Sequence, residues 1–243
     1  MSARGFEKLG HLLADVLSRP RRSDTAPAPA APEEEWQQLM RPGDVLLVEG
    51  RTRISTGIKY LTQSTWSHSA LYVGSRCPQG PLIEADLTAG VIASPMEKYR
   101  DANVRICRPI GLSSDDLHRV LDFAIARLGN RYDLRNVFDL ARYLFPTPPV
   151  PPRWRRRLLT FGSGEPTKAI CSSLVAQAFQ QVHYPILPHT VWSSEHPDDR
   201  YLRYQIRHYS TFTPRDFDLS PYFDIVKPKL RTCFDYRTLQ WLD

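Results

Sequence analysis

Trp66-Ser67-His68-Ser69-Ala70-Leu71-Tyr72-Val73-Gly74 has the composition of a β-strand with a histidine near its start, since Leu71-Tyr72-Val73 favours extended backbone. Later in the chain, Ile170-Cys171-Ser172-Ser173-Leu174-Val175-Ala176-Gln177-Ala178-Phe179 has the apolar spacing of a helix that opens with a cysteine. The unpaired N–H groups at a helix N-terminus favour a thiolate over a thiol, and a nearby imidazolium favours it further. The two segments therefore predict a thiol nucleophile, Cys171, with His68 as its base.

A second predicted strand supplies a candidate third member of this group. Residues 75–81 contain Gly and Pro and fit a loop, and Leu82-Ile83-Glu84-Ala85-Asp86 fits a strand that pairs antiparallel with the first. A carboxylate on the neighbouring strand can reach the imidazole, fix its tautomer and stabilise its charged form. Glu84 is the first candidate, and Asp86, which shares its face of the strand, is the competing one.

The composition is that of a soluble globular protein with one principal domain. The chain has 243 residues, of which 42% are apolar and 24% are charged. Its four cysteines form no C-x-x-C pair, so neither a zinc site nor a dithiol redox site is indicated, and a reducing compartment is favoured. No cofactor and no metal ion are expected.

Charge and hydropathy limit the partners. No apolar stretch is long enough to span a bilayer and the first residues do not form a secretory signal, so the expected location is cytoplasmic, either free or peripheral to a membrane. The net charge is +6, with arginine clusters at 19–22 and 153–157. These clusters suit an anionic membrane surface or substrate, or are simply solvated, and nucleic acid is not expected.

The chain divides into three parts. Residues 1–18 form a predicted amphipathic helix, and residues 19–35 form a linker rich in Pro and Ala. The domain is predicted at 36–243, with a Pro/Arg-rich insertion at 145–169.

Further elements are predicted within the domain. The strands are expected near 45–48, 104–108, 204–206 and 223–226, with the last two completing the sheet, and the helices at 54–63, 114–128 and 133–144. His189 and His196 are expected in a Pro-rich loop after the cysteine helix, where they would either line the site or be solvated.

Several motifs together resemble one known family. They are Pro42-Gly43-Asp44-Val45-Leu46, Ser67-His68 opening a strand that ends at Gly74, Glu84 on the next strand, Gly129-Asn130-Arg131-Tyr132-Asp133 after a helix, Cys171-Ser172-Ser173-Leu174-Val175 opening a later helix, and Thr213-Pro214-Arg215-Asp216-Phe217. Over about residues 40 to 227 the sequence resembles the circularly permuted NlpC-type papain-like cysteine hydrolases, and among them the YiiX/YebB-like subgroup. Papain-like enzymes place the cysteine helix before the histidine strand, whereas here the histidine comes first.

The resemblance implies a permuted papain-like fold of the α+β class. An antiparallel sheet or half-barrel carrying His68 and Glu84 would pack against helices, with the nucleophile Cys171 at the N-terminus of one of them. It also implies hydrolysis of amides or, as in the lecithin retinol acyltransferase group, transfer of acyl chains. The substrate does not carry over with the fold, so a peptide, another small molecule and a lipid all remain open.

The predicted chemistry is acyl transfer through a thioester. Cys171 attacks an amide or ester carbonyl, His68 protonates the leaving group, and Glu84 orients the imidazole. The backbone N–H of Cys171 is the expected oxyanion donor, and Tyr132 and Tyr60 are candidate side-chain donors or substrate contacts. The alternative function is a catalytically inactive papain-like module that binds a ligand in the same pocket, with or without a membrane. The oligomeric state is not predicted.

Overall fold

The computed structural model describes residues 33–86, 89–130, 170–193 and 201–226. The predicted helix at 1–18, the linker up to residue 32, the helix at 133–144 and the insertion at 145–169 lie outside these ranges, as do Tyr132, His196 and Cys233. Within the described ranges, no helix has both the length and the hydrophobicity needed to cross a membrane.

The described chain is a mixture of helices and antiparallel strands. The strands are β1 (Val45–Val48), β2 (His68–Tyr72), β3 (Leu82–Asp86), β4 (Gly90–Ser94), β5 (Val104–Pro109), β6 (His189–Ser193), β7 (Tyr201–Gln205) and β8 (Phe223–Val226). The α-helices are α1 (Glu33–Leu39), α2 (Arg53–Thr62), α3 (Ser114–Ile125), α4 (Ile170–Gln180) and α5 (Pro214–Asp218). Short 3₁₀ helices lie at Gly74–Arg76, Met96–Tyr99 and Tyr209–Thr211.

Six of these strands form one sheet in the order β4-β3-β2-β1-β5-β8, and every pairing in it is antiparallel. The predicted hairpin is confirmed, because β2 and β3 pair through Ala70 with Glu84 and Leu71 with Ile83. The predicted strand at the end of the domain is confirmed as well, since β8 pairs with β5. β4, which pairs with β3, was not predicted from the sequence.

Two details of the late chain differ from the prediction. The strand predicted near residues 204–206 is β7, but it pairs with β6 in a separate two-stranded sheet and does not extend the main one. His189, expected in a loop, is the first residue of β6. Local composition indicates that a segment is extended, but the partner strand depends on tertiary packing.

The sheet has a hydrophobic core on each face because successive side chains point to opposite sides. The odd-numbered face packs against α3 and α4 through Leu47, Leu71 and Ile83. The even-numbered face, with Leu46, Ala70 and Leu82 among its residues, packs against Trp36 of α1 and the Met96–Tyr99 turn. A buried Leu or Ile contributes about 1.5 to 3 kcal/mol relative to an exposed one, so both layers stabilise the sheet.

The helix that carries Cys171 is fixed at its C-terminal end. The N–H of Tyr184 donates to the carbonyl of Phe179 and that of His183 to the carbonyl of Gln180, each over 3.1 Å. His183 has a φ of 54°, and the rings of Phe179 and Tyr184 are 5.4 Å apart. This is a Schellman motif with its usual hydrophobic contact, and it ends α4 at a defined position on the sheet.

Candidate active site

The register of the sheet brings His68 and Glu84 together. Glu84 lies opposite Ala70, and His68 precedes Ala70 by two residues, so all three share one face of the sheet. Diagonal neighbours on adjacent strands are close enough for long side chains to touch. The Nε2 of His68 is hydrogen-bonded to Oε2 of Glu84. Glu84 is fully buried, whereas 23% of the His68 side chain is exposed.

Glu84 accepts hydrogen bonds from three further side chains. The hydroxyl of Ser94 on β4 and the ammonium of Lys98 donate to Oε1, the latter over 2.5 Å, and the hydroxyl of Tyr99 donates to Oε2. Each carboxylate oxygen therefore receives two donors, which satisfies a charge that burial would otherwise destabilise. The orientation of Glu84, and through it that of the His68 ring, is set by β4 and the 3₁₀ turn that follows it.

Cys171 reaches His68 from the helical layer. It is the second residue of α4, it belongs to the core on the odd-numbered face, and only 5% of its surface is exposed. His68 is the first residue of β2, so its ring lies at the end of the strand, where groups from both faces can approach. The thiol and the imidazole are neighbours, and each shifts the pKa of the other toward its charged form. Because Nε2 is bonded to Glu84, Nδ1 is the nitrogen that remains to exchange a proton with the sulfur.

The electrostatics favour a thiolate–imidazolium pair. Burial by itself lowers the pKa of His68, but the charge of Cys171, the hydrogen bond to it and the contact with Glu84 outweigh burial and raise this pKa to about 10. Burial raises the pKa of the Cys171 thiol, and the charge and hydrogen bond of His68 reverse that effect and hold it below its ordinary value. Burial opposes ionisation of Glu84 too, yet His68 and Lys98 keep the pKa of this carboxyl well below its usual range. All three shifts favour the charged form of the group concerned.

Ser69 is a neighbour of the thiol that the sequence did not single out. Its backbone N–H and its hydroxyl both interact with the Cys171 sulfur and lower the pKa of the thiol. Ser69 is completely buried on the face of β2 that packs against α4. The only sequence signal for it is its position immediately after the histidine.

The structure describes two of the remaining predicted site residues, Asp86 and Tyr60. Asp86, the alternative to Glu84, accepts the N–H of Ala89 over 2.9 Å, whereas Glu84 is the carboxylate bonded to His68. Tyr60 lies on α2 with 37% of its surface exposed. Its role as an oxyanion donor or substrate contact stays a prediction, as does that of Tyr132, which is outside the described ranges. Ser94, Lys98 and Tyr99, which bind Glu84, were missed by the sequence analysis.

Metal binding and reaction at a second thiol are the other chemical possibilities in the described part of the chain. No group of three or more His, Cys, Asp or Glu side chains there is placed to bind a metal ion. Cys77 and Cys107 are buried free thiols. Burial and the negative charge of Asp218 raise the pKa of Cys107 far above its ordinary value, so this thiol is a suitable internal reference for Cys171.

Comparisons with known proteins give little beyond this geometry. No protein-family model matches the chain, and no curated protein matches it. Among solved structures it is similar to the metalloprotein yiiX from Escherichia coli O157:H7, with 15% sequence identity and a TM-score of 0.46. The match covers 78% of this chain and 97% of that one. At this level the similarity supports no statement about function.

Proposed function

We propose that this protein is a cysteine-dependent hydrolase or acyltransferase with a permuted papain-like fold. The observation that carries the proposal is the continuous chain of contacts from the Cys171 thiol through His68 to Glu84. A thiol hydrogen-bonded to an imidazole that is itself oriented by a carboxylate is the arrangement that nucleophilic acyl transfer requires. The position of Cys171 at the start of α4 adds backbone N–H donors as a further stabilising influence on the thiolate.

In the proposed reaction the thiolate of Cys171 attacks the carbonyl carbon of an amide or ester, and the carbonyl π electrons move to oxygen. Nδ1 of His68 then gives its proton to the leaving amine or alcohol as the bond between carbon and the leaving group breaks. The product is a thioester on Cys171 beside a neutral imidazole. That imidazole takes a proton from water or from an acceptor alcohol or amine, which attacks the thioester and releases Cys171 as a thiolate. Glu84 stabilises the imidazolium in both proton transfers.

Thiol labelling tests this proposal. The native protein is treated with iodoacetamide at pH 7, and the rate at each cysteine is measured by peptide mass spectrometry. Cys171 should react at least about tenfold faster than Cys107, since the reactive species is the thiolate. His68→Ala should slow the labelling of Cys171, and His118→Ala, which changes an exposed histidine on α3, is the matched control.

A negative labelling result would contradict the catalytic proposal. Labelling of Cys171 that is no faster than that of Cys107, or that is indifferent to His68→Ala, would leave only a ligand-binding module with a papain-like arrangement. If the labelling is positive, intact-mass analysis after incubation with mixed lipids and peptides should show an acyl adduct that Cys171→Ala lacks. The mass of this adduct distinguishes a lipid acyl chain from a peptide or amide substrate.

A further inference from the structure

Ser69 has a hydroxyl with an unusual environment. Its Oγ is completely buried and finds no partner with ordinary hydrogen-bond geometry. Buried hydroxyl groups in proteins are nearly always hydrogen-bonded, because an unsatisfied one is costly. Within the described ranges, the only other serine or threonine hydroxyl in this condition is that of Ser173. The neighbour of Ser69 that can become a strong acceptor is the Cys171 sulfur, once it is ionised.

The strand register leaves the backbone N–H of Ser69 outside the ladder between β2 and β3. The N–H of Val73 donates to Pro81 on the β3 side of β2 over 2.8 Å, and the period of two residues directs the N–H groups of Leu71 and Ser69 to that side as well. The pairing of β2 with β3 ends at Ala70 and Glu84. Ser69 is thus one residue beyond the last pair, and its N–H is left over from the ladder to donate to Cys171.

We propose that Ser69 is a further catalytic residue of this site, whose N–H and hydroxyl together hold the Cys171 sulfur as a thiolate ready for attack. The inference rests on the proposed function, because it assigns a role at the same nucleophile. Both donors belong to the strand residue that follows His68, and they give the sulfur polar neighbours within an otherwise apolar layer. The hydroxyl gains its acceptor only in the ionised state, and this selectively stabilises the reactive form.

The test measures the thiol pKa of Cys171 from the pH dependence of iodoacetamide labelling. Ser69→Ala removes the hydroxyl and keeps the N–H. It should raise this pKa by about one unit, and so slow labelling about tenfold at a pH below the midpoint. Ser69→Thr keeps the hydroxyl and should retain most of the wild-type profile. Ser173→Ala, which removes the other buried unpartnered hydroxyl two residues beyond Cys171, should leave the profile unchanged.

A direct measurement on the wild-type chain covers the case in which Ser69→Ala does not fold. The amide proton resonance of Ser69 should titrate together with Cys171, and Cys171→Ala should abolish that titration. Fast labelling of Cys171 with identical profiles in wild type and Ser69→Ala would overturn the role of the hydroxyl, and a pH-independent Ser69 amide would overturn that of the N–H. Slow labelling of Cys171 in the wild type would instead contradict the proposed function itself.

Discussion

Replacing Glu84 by glutamine keeps the shape of the side chain and removes its charge. In the wild type, Glu84 is fully buried and is one of two anions that act on His68, the other being the Cys171 thiolate. Glutamine still offers an oxygen to the hydroxyl of Tyr99 or to Nε2 of His68. The substitution therefore tests the electrostatic contribution of Glu84 with little change in packing.

The magnitude follows from the pKa of His68, which is about 10 in place of the ordinary 6.5. At about 1.36 kcal/mol per unit, the imidazolium is stabilised by about 5 kcal/mol overall. Burial opposes this net stabilisation, so the two anions together contribute more than it, with Cys171 ahead of Glu84. A charged partner at hydrogen-bond distance typically shifts a pKa by about one to three units, which gives Glu84 a share of about 2 kcal/mol. Loss of that share corresponds to a proton affinity about thirtyfold lower, and the pKa of His68 should fall to roughly 8.5.

The assay is an NMR titration of the His68 ring carbon Cε1 in protein labelled at histidine. Because the pKa of His68 is raised, the imidazolium is complete at low pH and is lost as the pH rises, so Glu84→Gln should move this loss to lower pH. Asp86→Asn removes the competing carboxylate on the same strand and is the matched control, with a smaller shift expected. A titration of His68 in Glu84→Gln that coincides with the wild type would refute the assignment of Glu84 as the orienting group.

Two further predictions concern stability. The pKa of Glu84 is lowered in the folded protein, so its contribution to stability is complete above the ordinary value of 4.5 and is lost progressively as the pH falls toward the much lower folded value. In urea unfolding, the difference between wild type and Glu84→Gln should therefore begin to shrink below about pH 5 and keep shrinking down to the lowest pH at which the protein stays folded. Asp44 is buried and accepts two bonds from Arg108, at 2.9 and 2.7 Å, so Asp44→Asn should destabilise the fold by about 3 to 5 kcal/mol. Asp122→Asn, which removes the exposed pair with Arg76, should cost less than about 1 kcal/mol in the same unfolding assay, and equal losses would contradict this distinction.

The hairpin that carries His68 and Glu84 could be predicted because its signals are local. Two segments of strand composition flank a short loop with Gly and Pro, and this is sufficient to fix antiparallel pairing. The pairing, with the period of two, then places Glu84 and Asp86 on the face of His68. The choice between the two carboxylates depends on register, which the sequence left open and the pairing of Ala70 with Glu84 decides.

The donors around Glu84 could not be predicted because they depend on contacts that the local pattern does not encode. Ser94 ends a short strand, β4, whose alternation is too weak to distinguish it from a loop. Lys98 and Tyr99 have the sequence context of an ordinary surface turn, and only the packing of that turn on the sheet directs both side chains to one carboxylate. Ser69 could not be predicted because a serine in a strand usually has no specific role. Its role depends on its interaction with Cys171 on α4, a helix that is distant in the sequence.

The positive charge of Lys98 balances the negative charge that the proposed triad alone would leave in the site. With Cys171 and Glu84 ionised, the positive charges of His68 and Lys98 make the group of four neutral, which limits the cost of burying Glu84 completely. In the proposed acyl-enzyme, Cys171 has lost its negative charge to the thioester and His68 has lost its proton to the leaving group. Glu84 and Lys98 then remain as a pair, and the site is neutral again. Without Lys98 both states would carry one uncompensated buried charge. Lys98, with 39% of its side chain exposed, is therefore the counter-ion of Glu84. It allows this fully buried carboxylate to remain ionised and to orient His68 in both the charged and the neutral form of the imidazole.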